Sequence, residues 1–304
     1  MVYERLTVAA GQAWIVLMCA AFLGLRSGNA YAAPITFNTA LPVSQEEFIL
    51  RELVTVGKAS DNFGGLGREL TVVTATTVMA YGVTSKLALF GVVPVTFKEL
   101  QTQEGKRNAN GIGDARLVAR FTVYKKDAVG KTYRIAPFIG VKAPTGDDTR
   151  TDELGLLPAS LQPGTGSWDV FGGLIATYAS VDWNLDLQAS YRANTRSGDF
   201  ERGDVARADA SFQYRLLPGT LSRHDKGYVY GVLEANLVHS KRMRINGIQD
   251  LNTGGTTLYL VPGVQYATRR WIAEAAVQLP VIQDLNGSAL ERDFTVLAGL
   301  RVNF

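Results

Sequence analysis

The sequence predicts an all-β protein: an antiparallel transmembrane β-barrel of about twelve strands in an up-and-down meander, preceded by a cleaved signal peptide. Three observations lead to this fold class. Apolar and polar residues alternate along the carboxy-terminal segment, the same alternation recurs along most of the chain, and an export signal stands at the beginning. Repeated segments of about ten residues with one apolar and one polar face are typical of strands that separate lipid from a polar lumen.

The carboxy-terminal segment, residues 292–304, shows the alternation most directly. One face carries only apolar side chains, from Phe294, Val296, Ala298, Leu300, Val302 and Phe304. The other face carries Thr295, Leu297, Gly299, Arg301 and Asn303. Successive side chains of a strand point to opposite faces, so this period of two predicts a strand with one apolar face.

Residues 1–32 are expected to form a signal peptide. Arg5 provides a positively charged start, the apolar run 13–25 is too short to cross a bilayer, and residues 30–32 supply the small residues of a cleavage site. The alternative is an uncleaved membrane anchor. The predicted organisation is a signal peptide at 1–32, a short periplasmic amino-terminal segment at 33–45 and the barrel at 46–304.

Composition narrows the class of protein further. Removal of the two arginines and one glutamate of the signal peptide from a net charge of +3 leaves +2, which argues against a nucleic-acid partner. The single cysteine, Cys19, lies in the signal peptide, so the mature chain has no disulfide or thiolate metal site. After the signal no apolar stretch reaches 18 residues, yet 46% of the chain is hydrophobic. Only helices and closed barrels satisfy their backbone within lipid, so the predicted location is the outer membrane of a Gram-negative bacterium, in contact with lipid and lipopolysaccharide.

Twelve strands are predicted along the chain. They span residues 46–57, 69–81, 86–98, 113–125, 132–143, 168–180, 182–194, 206–217, 227–239, 256–267, 270–281 and 292–304. The first alternates least clearly, and 182–194 and 206–217 alternate most clearly. The connections support the meander, because the predicted outer loops (58–68, 99–112, 144–167, 195–205, 240–255 and 282–291) are longer than the predicted periplasmic turns (82–85, 126–131, 181, 218–226 and 268–269).

The polar faces of the predicted strands carry charges of both signs, which are expected to line a wetted but not widely open lumen. The lumen-lining candidates are Asp114, Arg116, Arg120, Arg134, Asp186, Arg192, Arg207, Asp209, Arg215 and Arg301. Aromatic residues near strand ends match the girdle that such barrels place at the membrane interfaces: Trp183, Tyr191, Tyr214, Trp271 and Phe304. Phe304 is also the expected terminal signal for the barrel-assembly machinery.

Six short segments follow one another in a definite order. They are Tyr81 to Thr84, Leu87 to Pro94, Gly111 to Ala115, Val141 to Asp147, Gln162 to Asp169 and the terminal strand. In this order they resemble a family of bacterial outer-membrane barrels that is named for a MetA pathway of phenol degradation. The resemblance covers about residues 45 to 304. It implies an exported barrel with a transport role, and the family has no catalytic residues to carry over.

The longest predicted loop, 144–167, has two interpretations. Its leucines give it apolar content that a solvated loop would not need, so it either folds into the mouth as a constriction or forms a tethered cap without a role in selectivity. The candidates for a constriction are Thr145, Asp147, Asp148, Leu156 and Leu157. Pro144 ends the preceding strand, because proline cannot donate to the ladder.

Enzyme and metal sites are not predicted. His224 and Asp225 lack a nucleophile beside them, and His239 and Ser240 are adjacent on a strand, so their side chains point to opposite faces. The two histidines form no cluster that could hold a metal, and no cofactor is expected.

The predicted function is the passive passage of small hydrophobic or aromatic compounds through a monomeric barrel. A barrel of about twelve strands lies between those filled by side chains and the wide porins, which favours a narrow path. The alternative is a closed structural or adhesive barrel that transports nothing, and a barrel enzyme is the third hypothesis.

Overall fold

The computed structural model describes residues 32–61, 67–222 and 225–304. The predicted signal peptide up to residue 31, His224 and most of the Gly-rich stretch 64–67 lie outside the described residues. No helix in the described part of the chain has the length and apolar character needed to cross a membrane.

The described residues form β-strands joined by turns and loops. In chain order the strands are β1 (Phe48–Ser60), β2 (Glu69–Gly82), β3 (Leu87–Thr102), β4 (Gly105–Ile112), β5 (Arg116–Phe121), β6 (Tyr124–Ala128), β7 (Lys131–Lys142), β8 (Thr151–Asp152), β9 (Gly155–Leu156), β10 (Asp169–Ser180), β11 (Trp183–Ala193), β12 (Arg196–Ser197), β13 (Phe200–Glu201), β14 (Val205–Leu217), β15 (Tyr228–Ser240), β16 (Arg244–Ile245), β17 (Ile248–Gln249), β18 (Gly255–Ala267), β19 (Trp271–Leu285) and β20 (Glu291–Asn303).

The long strands close into an antiparallel barrel. β4, β5 and β6 together act as one barrel strand, since β4 pairs with β3, β5 pairs with both β3 and β7, and β6 pairs with β7. The first and last strands pair with each other, and the amide groups of Phe48 and Phe304 each donate to the other's carbonyl, at 3.2 and 2.9 Å. Among the described residues this makes twelve barrel strands, which confirms the predicted fold class, including its uncertain first strand.

The barrel is polar inside and apolar outside. On the neighbouring strands β11, β14 and β15, Leu187, Phe212 and Leu233 are 47%, 44% and 54% exposed. On the inner faces Glu234 and Gln265 are buried, at 1% and 0%. An outward apolar band and an inward polar face are what lipid outside and a lumen inside require.

The two ends of the barrel differ. The end that holds Phe48 and Phe304 carries the short connections and is called the turn end; the opposite end carries the long connections and is called the loop end. Aromatic side chains pack together on the outer surface at the turn end, where the ring of Trp183 lies 4.3 Å from Tyr178 and 5.9 Å from Phe212. Of the predicted girdle residues, Tyr191 lies at the loop end, where its hydroxyl donates to Asp204 at 2.7 Å.

Two predicted boundaries were wrong. The predicted loop 99–112 is mostly a hairpin in which β3 continues to Thr102 and β4 begins at Gly105. The predicted strand 113–125 is interrupted at 113–115 and at 122–123. The hairpin extends beyond the lipid-facing band, and its inner face packs partly against the loop 143–168 through Leu100 and Ala109. Its sequence therefore lacks the regular apolar alternation that marks the other strands.

Candidate functional site: the lumen

The amino-terminal segment lies inside the barrel. Residues 32–43, called the plug here, include Ile35, which packs on inner-wall apolar residues of β15, β18, β19 and β20 and is 1% exposed. The backbone amides of Ile35 and Thr36 donate to the carboxylate of Glu234 at 2.6 and 3.1 Å. Gln265 donates to the carbonyl of Ala33 at 2.7 Å. The sequence-based placement of 33–45 in the periplasm therefore needs correction, because burial of the plug's apolar side chains and pairing of its backbone both favour the lumen.

The second half of the plug is held by the opposite wall. Arg120 on β5 donates to the side chain of Asn38 at 3.1 Å, to the carbonyl of Leu41 at 2.6 Å and to the carbonyl of Thr39. The amide of Ala40 donates to the Thr177 hydroxyl on β10 at 2.8 Å. The plug thus spans the barrel from β15 to β5, and each half is anchored by polar side chains of the lumen.

A buried ion cluster ties the longest loop to the wall at the loop end. The ammonium group of Lys142 lies 3.0 Å from Asp114 and 2.6 Å from Asp169. Asp114 also accepts the amide of Gly146 at 3.1 Å and that of Thr165 at 3.0 Å. These contacts explain why charged residues end β7 and begin β10: they fix both ends of the loop 143–168.

The loop itself folds over the inner wall of the β2–β4 extension. Leu157 and Leu161 are buried against Leu70, Leu100 and Ala109. Lys98, on the lumen face of β3, donates to the carbonyls of residues 160 and 162 at 3.1 and 2.7 Å.

The five constriction candidates divide into three kinds. Leu157 is an anchor of the loop, and Thr145 joins the loop to the residues before β5, since its hydroxyl accepts from Ala115 at 2.8 Å. Leu156 and Asp147 are exposed, and Asp147 pairs with Arg150 at 3.1 Å. Asp148 is partly buried. The structure thus places the loop at the mouth, and its effect on passage stays a prediction.

A cavity of about 560 Å3 lies in the lumen beside the plug. Five of the predicted lumen residues line it: Arg116, Arg192 and Arg207 toward the loop end, and Arg120 and Arg301 toward the turn end. Its apolar lining includes Phe138 and Phe171, which project from β7 and β10. The cavity therefore combines a cationic side with an aromatic side.

Several of the predicted lumen residues form local pairs. Asp186 is fully buried beside Thr177, and Asp209 pairs with Arg207 at 2.9 Å. Arg301 lies 3.8 Å from Glu274. Two more lie near the turn end: Arg134 is 3.5 Å from Asp127, and Arg215 is 2.5 Å from Asp182 at the rim.

Sequence reasoning missed the residues that hold the amino-terminal half of the plug. Glu234 and Gln265 bind the plug, and Glu274 joins Arg51, whose guanidinium also donates to the carbonyl of Ile35 at 2.6 Å. The signal was present, because Glu234 and Asn236 occupy alternate positions between apolar residues of β15. A carboxylate on a lumen face with no cation on the neighbouring strand indicates a partner elsewhere.

The histidine that the structure describes does not form a catalytic pair. His239 points outward and its Nδ1 lies 2.9 Å from the Thr256 hydroxyl, whereas Ser240 lines the lumen cavity, as predicted. Within the described residues no group of three or more His, Cys, Asp or Glu side chains could hold a metal ion.

Comparison with known proteins gives a family and a fold. The family model described as "Putative MetA-pathway of phenol degradation" matches residues 55–279. The chain is similar to a solved outer membrane channel from Pseudomonas putida, with 16% identity, coverage of 90% of this chain and 100% of that chain, and a TM-score of 0.63. It is also similar to the beta domain of the Bordetella autotransporter BrkA, with 13% identity, coverage of 86% and 100%, and a TM-score of 0.50. None of the curated proteins matches the chain. At these identities the structural similarity shows the barrel fold alone.

Proposed function

Because this chain belongs to the family named for the MetA pathway of phenol degradation, as its six segments suggested, we propose that it is an outer-membrane channel for small hydrophobic or aromatic compounds. The observation that carries the proposal is the lumen cavity, whose wall includes the rings of Phe138 and Phe171 beside the plug. A concave site lined by aromatic side chains and a few polar groups suits a small aromatic solute. The solved channel from Pseudomonas putida shares the fold and supports this class of function.

The plug controls the path in this proposal. Solute enters the cavity from the loop end, and the plug crosses the lumen from β15 to β5 and obstructs the path, so passage requires the plug to move. The loop 143–168 narrows the mouth, and its leucine anchors set the opening. The barrel works as a monomer in lipid and lipopolysaccharide, and the barrel-assembly machinery inserts it.

A closed structural barrel is the second candidate, and one observation favours it. The plug is hydrogen-bonded to β5, β10, β15 and β18 at once, which is more than a loosely held gate needs. The two candidates differ in whether the plug moves under working conditions.

A reversible lock of the plug separates the two candidates. The mature chain is predicted to contain no cysteine, so Ala40→Cys and Thr177→Cys together introduce a single possible disulfide where the amide of Ala40 meets Thr177. The refolded variant is placed in liposomes, and uptake of phenol is compared with uptake of glucose in the oxidised and reduced states of the same protein.

The expected result is faster phenol uptake than in empty liposomes when the lock is reduced, and a return to the empty-liposome rate when it is oxidised. Equal and negligible uptake in both states, by protein shown to be folded, supports the closed barrel and contradicts the channel.

A further inference from the structure

The side of the lumen cavity that Arg116, Arg192 and Arg207 line carries a net positive charge. Asp114 and Asp169 share the single ammonium group of Lys142, which leaves this cluster one negative charge, and Asp209 pairs with Arg207. Together with Arg116 and Arg192, this side of the cavity therefore carries one net positive charge. Arg116 and Arg192 make no ion pair within the part of the chain that the structure describes. The cavity thus presents two guanidinium groups whose charges no protein carboxylate balances directly.

Buried arginine nitrogen atoms without a partner also indicate a site for an anion. The Nε atoms of Arg192, Arg202 and Arg207 are buried and have no hydrogen-bond partner among the described residues. Arg116, Arg192 and Arg207 line the same cavity, so their positive charges face a shared space. Arg116 is exposed to the lumen and Arg192 and Arg207 are partly buried. Like charges that line a cleft raise the local concentration of anions, and guanidinium groups suit planar carboxylates.

An aromatic wall adjoins these arginines. Phe171 lies opposite Gly140 on β7 and opposite Arg192 on β11, and Phe138 lies opposite Gly173 on β10. A Cβ atom at position 140 would come within 2.4 Å of the Phe171 ring, and one at 173 would come within 2.9 Å of Phe138. The two glycines therefore let both rings approach the neighbouring strands closely. Both rings line the cavity, and Phe138 also packs against Ala40 of the plug.

We propose that this cavity binds small aromatic carboxylates, with the carboxylate between Arg116 and Arg192 and the ring against Phe171. The proposal rests on the proposed channel function and specifies its solute class. A neutral aromatic compound would leave the net positive charge of this side uncompensated, and a small inorganic anion would leave the aromatic wall unused. The cavity volume of about 560 Å3 is within the range of sites that enclose small organic ligands.

The test measures binding, which does not depend on passage. The refolded full-length mature barrel in detergent micelles is titrated calorimetrically with benzoate, benzyl alcohol, acetate and phosphate. Benzoate is expected to bind at least about tenfold more tightly than any of the other three probes, because it alone uses both sides of the cavity. Benzoate binding no tighter than benzyl alcohol overturns the role of the arginines, and binding no tighter than acetate or phosphate overturns the role of the aromatic wall.

Variants locate the site. Arg116→Gln and Arg192→Gln are each expected to weaken benzoate binding at least about tenfold, as loss of a charge-assisted contact does, and to leave benzyl alcohol unchanged. Phe171→Leu is expected to weaken benzoate and not acetate. The matched control is Arg269→Gln, which removes the same charge from an exposed turn at the turn end. Only variants that show the folded barrel by heat-modifiable migration are compared.

The outcomes separate this proposal from the channel function. Equal effects of Arg192→Gln and Arg269→Gln on benzoate binding overturn the proposal, whatever the liposome assay gives. Phenol uptake in liposomes without preferential benzoate binding leaves a channel for neutral compounds and overturns the carboxylate site. Tight, Arg192-dependent benzoate binding supports the site even where the locked and unlocked barrels do not differ in permeability.

Discussion

Arg120 is expected to be the main fastening of the second half of the plug, and its replacement by alanine should release residues 38–41. The side chain makes three hydrogen bonds to the plug. Hydrogen bonds to a charged group contribute about 1.5–3 kcal/mol each, and neighbouring bonds do not add fully. Arg120→Ala also removes the cost of burying a guanidinium group, so we expect the net loss for this part of the plug to be about 3 kcal/mol. That loss corresponds to an approximately 100-fold rise in the local opening constant.

The rate of cysteine labelling measures the local opening constant of the plug. Leu41→Cys places a single thiol on the plug, at a residue whose backbone, not its side chain, contacts Arg120. When reclosing is fast compared with labelling, the rate follows the population of the open state. We expect the rate of maleimide labelling to rise about 100-fold on adding Arg120→Ala. Single-channel conductance in planar bilayers should rise as well, while the barrel stays folded, because its strand pairing uses the backbone of Arg120 and not its side chain.

Arg134→Ala is the matched control. Arg134 lies on the lumen face of the next strand, and its ion pair is with Asp127 rather than with the plug. A labelling rate that is the same in the Arg120 and Arg134 variants would refute the assignment of Arg120 as the fastening. Equal conductance changes would show that loss of lumen charge, not release of the plug, determines the current.

Two further predictions concern the loop 143–168. Leu161→Ala should destabilise the packing of the loop by about 2–5 kcal/mol, the usual cost of truncating a fully buried leucine. Hydrogen exchange of residues 155–162 should therefore accelerate. Leu156→Ala, at a site that is 64% exposed, should leave this exchange rate unchanged. Hydrogen bonds from Arg107 hold the pKa of Asp152 below its ordinary value, so the tie between them is fully present above about pH 4 and is lost as the pH falls through the lowered pKa. Fluctuations of the single-channel current should therefore increase when the wild-type protein is acidified below pH 4, and Asp152→Asn should show the same fluctuations already at pH 7. Current fluctuations that do not depend on pH in either protein would contradict a role of the Arg107–Asp152 contact in holding the loop.

The strand pattern could be predicted wherever one face meets lipid and the other meets the lumen. The strand 182–194 was expected within a residue or two of β11, because its apolar residues recur at every second position. The hairpin of β3 and β4 could not be found in this way, since it extends beyond the lipid-facing band and its inner face packs on a distant loop through Leu100 and Ala109. The position of Lys142 between Asp114 and Asp169 depends on the register between neighbouring strands, which the sequence pattern of one strand does not reveal.

The plug was missed for a different reason. An irregular segment has no period in its sequence, and its burial depends on partners about 200 or more positions away. Examples are Glu234 for Ile35 and Gln265 for Ala33. The composition did hold a clue, because Ile35, Phe37 and Val43 would be costly to leave in water within a short periplasmic linker. Apolar residues between a cleavage site and the first strand of a barrel therefore favour a segment that returns into the lumen.

The direct continuity of the plug with β1 makes closure an intramolecular reaction. Residues 44–47 join the two, and the amide of Glu46 is fixed to the carbonyl of Gly82 at 2.8 Å, so the attachment point stays at the rim while the rest swings. Gly82 permits this close approach, because a Cβ there would lie 2.0 Å from the carbonyl oxygen of Ser44. A displaced plug then remains near its site at an effective concentration of the order of millimolar, as short tethers provide. If the plug moves as proposed, each barrel recloses by itself at a rate independent of protein concentration, and a free peptide of the same sequence has to approach millimolar levels to compete.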